Sequence, residues 1–170
     1  MEKLHVGLGK NSYDIMIGEN FFEEFPKYIG EVYSGKKLFV ITDSNVHEIY
    51  EEKYKEMFKG FNYSIFVLQA GEKHKHIGIM PSIYSAMVNE GLTRKDMVVA
   101  FGGGVVGDIA GFAAASYMRG IGFIQIPTTI VSQVDSSVGG KVGVDLPEGK
   151  NLVGAFHQPK LVQVVQKQRG

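Results

Sequence analysis

The chain has 170 residues, with 18 Lys plus Arg against 18 Asp plus Glu and no Cys. This length suits one domain with a sizeable core, and the balanced charge supplies no long-range field that would attract nucleic acid or an anionic membrane. The lack of Cys excludes disulfides and thiolate metal sites, and no apolar run reaches the roughly 20 residues that a membrane helix needs. Residues 1–3 do not lead into the apolar segment of a signal peptide. We therefore expect a cytoplasmic protein that binds neither nucleic acid nor membrane.

Apolar runs alternate with amphipathic segments along most of the chain. The predicted strands are short aliphatic or aromatic runs, and they cover residues 4–8, 13–17, 38–42, 63–69, 97–101, 121–126 and 161–165. The predicted helices have apolar residues at three- and four-residue spacing or are rich in Ala, and they cover residues 21–28, 46–58, 79–88 and 109–118. The first two strands should form an N-terminal β-hairpin. The later alternation predicts a Rossmann-like α/β fold, with a mostly parallel sheet and helices on both faces.

Particular residues mark the predicted helix starts and turns. Asn20 is expected to cap the first helix, and Ser44 or Asn45 the second. Residues 138–145 predict a further hairpin or extended loop that turns near residues 147–149. No repeat or linker interrupts this order, so we expect a single domain.

The most polar loops follow predicted strands. They contain Asp43, residues 69–75, residues 102–108 and residues 127–129. Ligands of parallel sheets bind at the carboxyl ends of the strands. One edge of the sheet should therefore gather all four loops.

The segment 102–108, Gly-Gly-Gly-Val-Val-Gly-Asp, lies between a predicted strand and an Ala-rich segment. Glycines let a backbone approach a diphosphate closely, and a helix start offers free N–H groups and a partial positive charge. Gly102, Gly104 and Gly107 fit the G-x-G-x-x-G pattern in the context that it requires. No acid stands about 20 residues further on, where a ribose partner is expected, because residues 127–128 occupy that region. The segment predicts a dinucleotide site of a topology other than the ordinary Rossmann one.

Six segments in the same order resemble the 3-dehydroquinate synthase family of sugar-phosphate cyclases. They are residues 102–108, 111–117, 119–120, 127–129, 133–141 and 149–151, and the resemblance runs from Met1 to about Leu161. It implies that residues 1–170 are the family's N-terminal NAD-binding α/β domain. The family's helical second domain, in which a Glu and two His hold zinc or cobalt, is not expected within this chain. The family's last strand also continues into an acidic residue, which this chain lacks.

The resemblance implies a lyase of the shikimate pathway, which leads to chorismate and the aromatic amino acids. In that reaction 3-deoxy-arabino-heptulosonate 7-phosphate gives 3-dehydroquinate and phosphate. NAD transiently oxidises the C5 hydroxyl, which acidifies the proton that is lost in the elimination. The implied partners are NAD, the sugar phosphate and a second copy of the chain in a homodimer.

Two alternatives to this function stay open. One is another sugar-phosphate cyclase or a glycerol-dehydrogenase-like enzyme, and the other is a nucleotide-binding fragment without catalysis. We expect the chain by itself to be inactive, because the metal and half of the substrate site would be missing.

The resemblance implies cofactor-binding roles for residues of the polar loops, namely Asp43, Glu72, Lys75, Gly103, Gly104, Val105, Asp108, Thr128, Thr129, Lys141 and Lys150. Judged from the residues alone, other roles are open. Asp43 can cap the helix that follows it, and Asp108 can complement the dipole of its own helix. Thr128 and Thr129 can cap a further helix, and the 69–75 loop can simply be solvated.

The resemblance implies contacts with the substrate for Asp135, Lys141, Asn151 and Arg119. Lysines and glycine pairs beside a carboxylate suit an anionic, hydroxylated substrate, although a solvated loop fits the same residues. Arg119 matches an arginine that reaches the substrate phosphate of the neighbouring subunit, and its planar fork fits phosphate. Otherwise it is a cation at a helix C-terminus. No metal ligand is assigned, because the pair His74 and His76 lacks an acid partner at metal-site spacing.

Overall fold

Strands and helices alternate through residues 1–129 and 140–166, which are the residues that the computed structural model describes. Their strands are β1 (Glu2–Val6), β2 (Tyr13–Glu19), β3 (Lys37–Asp43), β4 (Asn62–Leu68), β5 (Met97–Gly102), β6 (Gly122–Pro127), β7 (Lys141–Leu146), β8 (Gly149–Phe156) and β9 (Leu161–Gln166). Their α-helices are α1 (Phe25–Val32), α2 (Ser44–Tyr50), α3 (Tyr54–Met57), α4 (Met80–Asn89) and α5 (Gly104–Ser116). None of these helices is long and apolar enough to cross a membrane.

Seven of these strands form one sheet in the order β1-β2-β9-β6-β5-β3-β4. β1 and β2 are antiparallel, with Leu4 opposite Ile15, and each other neighbouring pair is parallel. β7 and β8 form a separate antiparallel hairpin. The predicted N-terminal hairpin, the mostly parallel sheet and the second hairpin are therefore confirmed.

Alternate side chains of β5, an interior strand, point to the two faces of the sheet. In β5, Met97, Val99 and Phe101 belong to the apolar cluster beneath α1, α2 and α3. Val98 and Ala100 belong to the cluster beneath α4, α5 and β7. Every residue of β5 is buried, which is why its sequence is a continuous apolar run and not an alternating one. Both faces of the sheet are covered, as predicted.

The chain leaves β3 and β5 in opposite directions. From β3 it passes through α2 and α3 to β4 at the edge of the sheet, whereas from β5 it passes through α5 to β6, on the other side. β3 and β5 are neighbours, with Thr42 opposite Phe101. Their carboxyl ends therefore enclose the topological switch point of the sheet, where open α/β sheets bind ligands.

The first two predicted helices differ from the structure in detail. Asn20 is not a helix cap, because it has a φ of 47° and α1 begins only at Phe25, after a 3₁₀ turn (Phe22–Glu24). The segment 46–58 is not one helix, since a 3₁₀ turn (Glu51–Lys53) separates α2 from α3. Both helices nevertheless bury apolar side chains in the cluster on their face of the sheet.

The cap of α2 is Asp43, and the prediction of Ser44 or Asn45 is wrong. Asp43 is the last extended residue before the helix, with φ −114° and ψ 170°, and its Oδ1 accepts the Val46 N–H at 2.9 Å. That conformation is the one a capping side chain needs. Ser44 is already helical, and its Oγ instead accepts the Ala70 N–H at 3.2 Å.

Small residues let α5 lie close to its neighbours. The helix begins at Gly104, before its predicted start at Ile109. A Cβ on Gly107 would lie 2.6 Å from Gln125 Nε2 of β6, and a Cβ on Gly111 would overlap Val142 of β7. Glycine at these two positions therefore allows both β6 and the β7–β8 hairpin to pack against the helix.

Candidate functional site

Three of the predicted site segments meet at the carboxyl edge of the sheet. Asp43 ends β3 beside Gly102, the last residue of β5. The Thr128 N–H donates to the Gly102 carbonyl at 3.0 Å. Thr129 is adjacent as well, since a Cβ on Gly103 would lie 3.3 Å from its Cγ2. The acid, the glycine segment and the threonine pair thus lie together at the switch point.

The glycine segment forms the start of α5. Gly103 is the N-cap residue, in an extended conformation with φ −80° and ψ −165°, and Gly104 and Val105 open the first turn. N–H groups of a first turn have no acceptor within their helix. Gly102 has no room for a side chain, because a Cβ would lie 2.7 Å from Val106 Cγ2. The segment therefore presents backbone donors and the positive end of a helix dipole, which together attract an anion.

Asp43 has one carboxylate oxygen committed to the helix that follows it. That oxygen accepts the Val46 N–H, so the capping alternative is realised. The side chain is only partly buried, and the second oxygen of a carboxylate can accept hydroxyl groups. Capping and ligand contact are therefore compatible in this residue.

Lys75 connects three of the predicted site residues. Its Nζ donates to Asp108 Oδ2 at 3.1 Å and to Asn151 Oδ1 at 2.9 Å. It also lies 3.2 Å from Glu72 Oε1. An ammonium group has three N–H donors, and here it has three oxygen partners. Lys75 is only 5% exposed, so a merely solvated loop does not describe it, although Glu72 is half exposed.

The charges of Lys75 and Asp108 depend on each other. Burial lowers the pKa of the Lys75 ammonium, but the hydrogen bond and charge of Asp108, and then those of Glu72, outweigh burial and raise it. Burial raises the pKa of the Asp108 carboxyl, and the Lys75 ammonium opposes that shift only in part. The nearby charges of Glu72 and Asp145 also raise the pKa of Asp108. The carboxylate form of Asp108 therefore relies on a charged Lys75.

The β7–β8 hairpin brings Lys141 and Asn151 into one pocket with Asp108. This pocket has a volume of about 360 Å³, and its other lining residues are Val142, Gly143, Gly154, Ala155 and Phe156. Lys141 opens β7 and is exposed, and Asn151 lies in β8 with a φ of 55°. A carboxylate, an amide and an ammonium thus face one cavity, which we call the hairpin pocket.

Lys150 lies next to a different cavity. That cavity has a volume of about 680 Å³ and lies between the 72–78 loop and the turn of the hairpin, and Lys75 and Asp145 also line it. Lys150 and Lys141 therefore line two separate pockets of this structure.

Asp145 is a site residue that the sequence analysis missed. Its Oδ1 accepts the Asn151 N–H at 2.8 Å, and its own N–H donates to the Lys75 carbonyl at 2.9 Å. Asp145 lies in the predicted hairpin, but no local pattern distinguishes it, because its contact with Lys75 depends on how two distant loops meet.

Arg119 is not brought to this site within one chain. It follows α5, which starts at the glycine segment and is 13 residues long, or roughly 20 Å. Arg119 therefore lies at the amino edge of the sheet, where it is exposed and has a φ of 67°. A contact between Arg119 and a ligand at the carboxyl edge would require another copy of the chain.

The predicted substrate contact Asp135 lies outside the described residues 1–129 and 140–166. Within those two ranges, no group of three or more His, Cys, Asp or Glu side chains is placed to hold a metal ion.

The fold and the site define a class of protein. It is an α/β domain that gathers a glycine-rich helix start and charged side chains at a topological switch point, as nucleotide-binding domains do. The family model described as the 3-dehydroquinate synthase N-terminal domain matches residues 65–168. The chain therefore belongs to the 3-dehydroquinate synthase family.

Curated relatives resemble nearly the whole chain. The 3-dehydroquinate synthase of Clostridium acetobutylicum is 52% identical over 164 residues, which cover 95% of this chain and 46% of that protein. The 3-dehydroquinate synthase of Caldanaerobacter subterraneus is 48% identical over 166 residues, which cover 96% of this chain and 47% of that protein. The chain thus spans about half the length of the curated relatives that it matches.

Solved structures share the fold. A crystal structure of 2-deoxy-scyllo-inosose synthase with carbaglucose-6-phosphate, NAD⁺ and Co²⁺ has a TM-score of 0.88 and 30% identity, and covers 96% of this chain and 46% of that one. 2-epi-5-epi-valiolone synthase from Streptomyces hygroscopicus, with NAD⁺ and Zn²⁺ bound, has a TM-score of 0.81 and 28% identity over 94% of this chain and 44% of that one. A probable glycerol dehydrogenase of Sinorhizobium meliloti, with a TM-score of 0.68 and 16% identity over 88% of this chain and 38% of that one, shares the fold alone.

Proposed function

We propose that this chain is the NAD-binding domain of a 3-dehydroquinate synthase. The enzyme would convert 3-deoxy-arabino-heptulosonate 7-phosphate to 3-dehydroquinate and phosphate. The observation that carries the proposal is the meeting, at one sheet edge, of the glycine segment with the Asp108–Lys75–Asn151 cluster, in a chain about half identical to enzymes of that name.

The residues at the switch point fit NAD. Gly102, Gly103 and Gly104 carry no side chain, so the backbone can approach a diphosphate, and the first turn of α5 offers Gly104 and Val105 as donors. Asp43 at the end of the neighbouring strand can accept both hydroxyls of the adenosine ribose. When bound, NAD supplies a site that takes a hydride from a substrate carbon and can return it. Thr128 and Thr129 lie beside the glycine segment, at the same end of the proposed NAD site.

The hairpin pocket fits a ligand that is both anionic and hydroxylated. Lys75 can only donate hydrogen bonds, so the carboxamide oxygen of Asn151 must face it. The amide NH₂ of Asn151 is therefore left to donate to an acceptor oxygen in the pocket. Lys141 adds a positive charge to the same pocket, and Asp108 can accept from a hydroxyl. A sugar phosphate carries all three kinds of group.

The remaining predicted residues lie outside the glycine segment and the hairpin pocket. We assign Glu72 and Lys150 to the cofactor side and Asp135 to the substrate. Arg119 is assigned to the substrate phosphate of a second copy in a homodimer, a role that its exposed position at the amino edge supports. The family resemblance implies that zinc or cobalt is held by a helical second domain, and we assign no step to a metal among the described residues, where no group of three or more His, Cys, Asp or Glu side chains is placed to hold one.

The test is turnover by the complete gene product with NAD and zinc supplied. Phosphate release should occur from the heptulosonate phosphate, with 3-dehydroquinate as the product, and it should stop when NAD is omitted. Lys141→Met should remove activity, whereas Lys95→Met, an exposed lysine at the amino edge, should not. A gene product that instead cyclises another sugar phosphate or oxidises glycerol would overturn the assignment.

A further inference from the structure

Lys75 of the 72–78 loop forms a closed circuit of hydrogen bonds with Asp145 and Asn151 of the β7–β8 hairpin. The Asp145 N–H donates to the Lys75 carbonyl at 2.9 Å. The Asn151 N–H donates to Asp145 Oδ1 at 2.8 Å. Lys75 Nζ donates to Asn151 Oδ1 at 2.9 Å, which closes the circuit. Each of the three residues therefore donates once and accepts once within it.

The circuit surrounds an irregularity in the hairpin. Val144 pairs with Val153 and Leu146 pairs with Gly149, so Asp145 alone stands opposite residues 150–152. Such bulges redirect a side chain and often lie beside binding sites. Asn151 lies within the bulge in the left-handed conformation, with a φ of 55°, which is unfavourable for residues other than Gly and mildest for Asn and Asp.

We propose that Asp145 is a positioning residue that acts through Asn151. Its carboxylate accepts the Asn151 N–H, holds that residue in the left-handed conformation, and so directs the Asn151 carboxamide between Lys75 and the hairpin pocket. The proposal rests on the proposed function in one respect, since it takes the hairpin pocket to be the substrate site.

Only the side chain of Asp145 is needed for this role. The bond from its N–H to the Lys75 carbonyl is made by the backbone, so Asp145→Ala keeps the loop and hairpin joined. Asp145→Asn keeps an oxygen in the place of Oδ1 and removes the charge. The two variants therefore separate loss of the acceptor from loss of the charge.

Amide hydrogen exchange tests the structural half of the proposal. In Asp145→Ala, the Asn151 N–H should exchange about tenfold faster than in the wild type, because a hydrogen bond to a carboxylate is lost. In Asp145→Asn, and in the control Glu148→Ala at the exposed hairpin turn, the rate should stay within about twofold. An unchanged rate in Asp145→Ala would overturn the proposal.

Steady-state kinetics of the complete gene product tests the functional half. Asp145→Ala should lower kcat/KM for the sugar phosphate about tenfold and leave the Kd for NAD unchanged. Asp145→Asn should keep the kcat/KM of the wild type. In an Asn151→Gly background, Asp145→Ala should have no further effect on kcat/KM. Asp145 acts through the Asn151 side-chain carboxamide, and the Gly variant already lacks that group. The proposal would be overturned if the fold-losses in kcat/KM of the two single variants multiply in the double variant, or if Asp145→Asn loses as much kcat/KM as Asp145→Ala. A wild-type protein without turnover would refute the proposed function instead, and the exchange rates would still decide the role of Asp145.

Discussion

The seven-stranded sheet and the β7–β8 hairpin are stabilised in different ways. β5 is buried at every residue and contributes side chains to both apolar clusters. In β8, by contrast, Leu152 is 59% exposed and Phe156 is 81% exposed. The hairpin is joined to the rest through Val142 and Val144 of β7, which are buried in the apolar cluster that includes α5, and through polar contacts of Asn151 and Asp145.

The sheet therefore contributes mainly to the stability of the fold, and the polar residues of the hairpin contribute mainly to ligand binding. Apolar burial in the sheet fixes where the carboxyl edge lies, and hence where a nucleotide can bind. The hairpin contributes Lys141 and Asn151 to a pocket at that edge but places much of its own surface in solvent. Changes in the sheet should therefore act mainly on folding, and changes in the polar residues of the hairpin mainly on binding and turnover.

The largest expected effect is on the stability of the sheet. Phe101 is 1% exposed and packs against the rings of Tyr50 and Tyr54 at 5.2 and 6.3 Å. Phe101→Ala should lower the free energy of unfolding by about 3–5 kcal/mol, because it leaves a cavity in the core. Leu152→Ala in the hairpin should change it by less than about 0.5 kcal/mol. Urea unfolding of both variants measures the contrast, and similar losses would show that the exposed side chains of β8 also contribute apolar burial.

The next largest effect is on substrate use. Asn151→Asp replaces an NH₂ donor with a carboxylate. The new carboxylate repels an anionic ligand and competes with Asp108 for the Lys75 ammonium. In the complete gene product, kcat/KM for the sugar phosphate should fall about 100-fold, or about 3 kcal/mol, with little change in the Kd for NAD. Asn89→Asp, at the exposed end of α4, serves as the control. Retained kcat/KM in Asn151→Asp would show that this amide does not belong to the proposed substrate site.

The contrast between sheet and hairpin also explains what the sequence predicts and what it does not. Buried strands such as β5 are predicted because their residues are apolar throughout. The sequence offers Asp43, Ser44 and Asn45 as caps of α2, and the backbone angles decide among them, because they show that Asp43 is the last extended residue. The contact between Lys75 and Asn151 joins residues 76 positions apart, so local pattern carries no information about it. The resemblance selected both residues, but it did not include Asp145.

A third prediction concerns alkaline pH and the face of the sheet opposite the hairpin. Burial, the largest cause, raises the pKa of Tyr54 to about 12, whereas a tyrosine in the unfolded chain ionises near pH 10. Between about pH 10 and 12 the unfolded chain loses a proton that the folded chain keeps, so stability falls as pH rises. This group should contribute on the order of 2 kcal/mol of that loss. Urea unfolding at pH 9 and pH 11 should show a smaller drop for Tyr54→Phe than for the wild type, and an equal drop would contradict the burial argument.

The smallest expected effect lies at Asp43, which belongs to both the fold and the proposed nucleotide site. Its carboxylate caps α2 and, in the proposed function, accepts the adenosine ribose hydroxyls, where a 2′-phosphate would be repelled. Asp43→Asn keeps the capping oxygen, since Asn caps as well as Asp, but removes the charge. Its stability should stay within about 0.5 kcal/mol, while its preference for NAD over NADP should shrink about tenfold, or about 1.4 kcal/mol.

Asp43→Ala separates the two roles of this carboxylate. It should lose the same cofactor preference and also about 1 kcal/mol of stability, because the Val46 N–H loses its acceptor. Calorimetric titration with both cofactors and urea unfolding measure the two quantities on the same variants. If Asp43→Asn keeps the full preference for NAD while Asp43→Ala still loses stability, Asp43 is a helix cap alone. The adenosine side of the site would then lie elsewhere along the carboxyl edge.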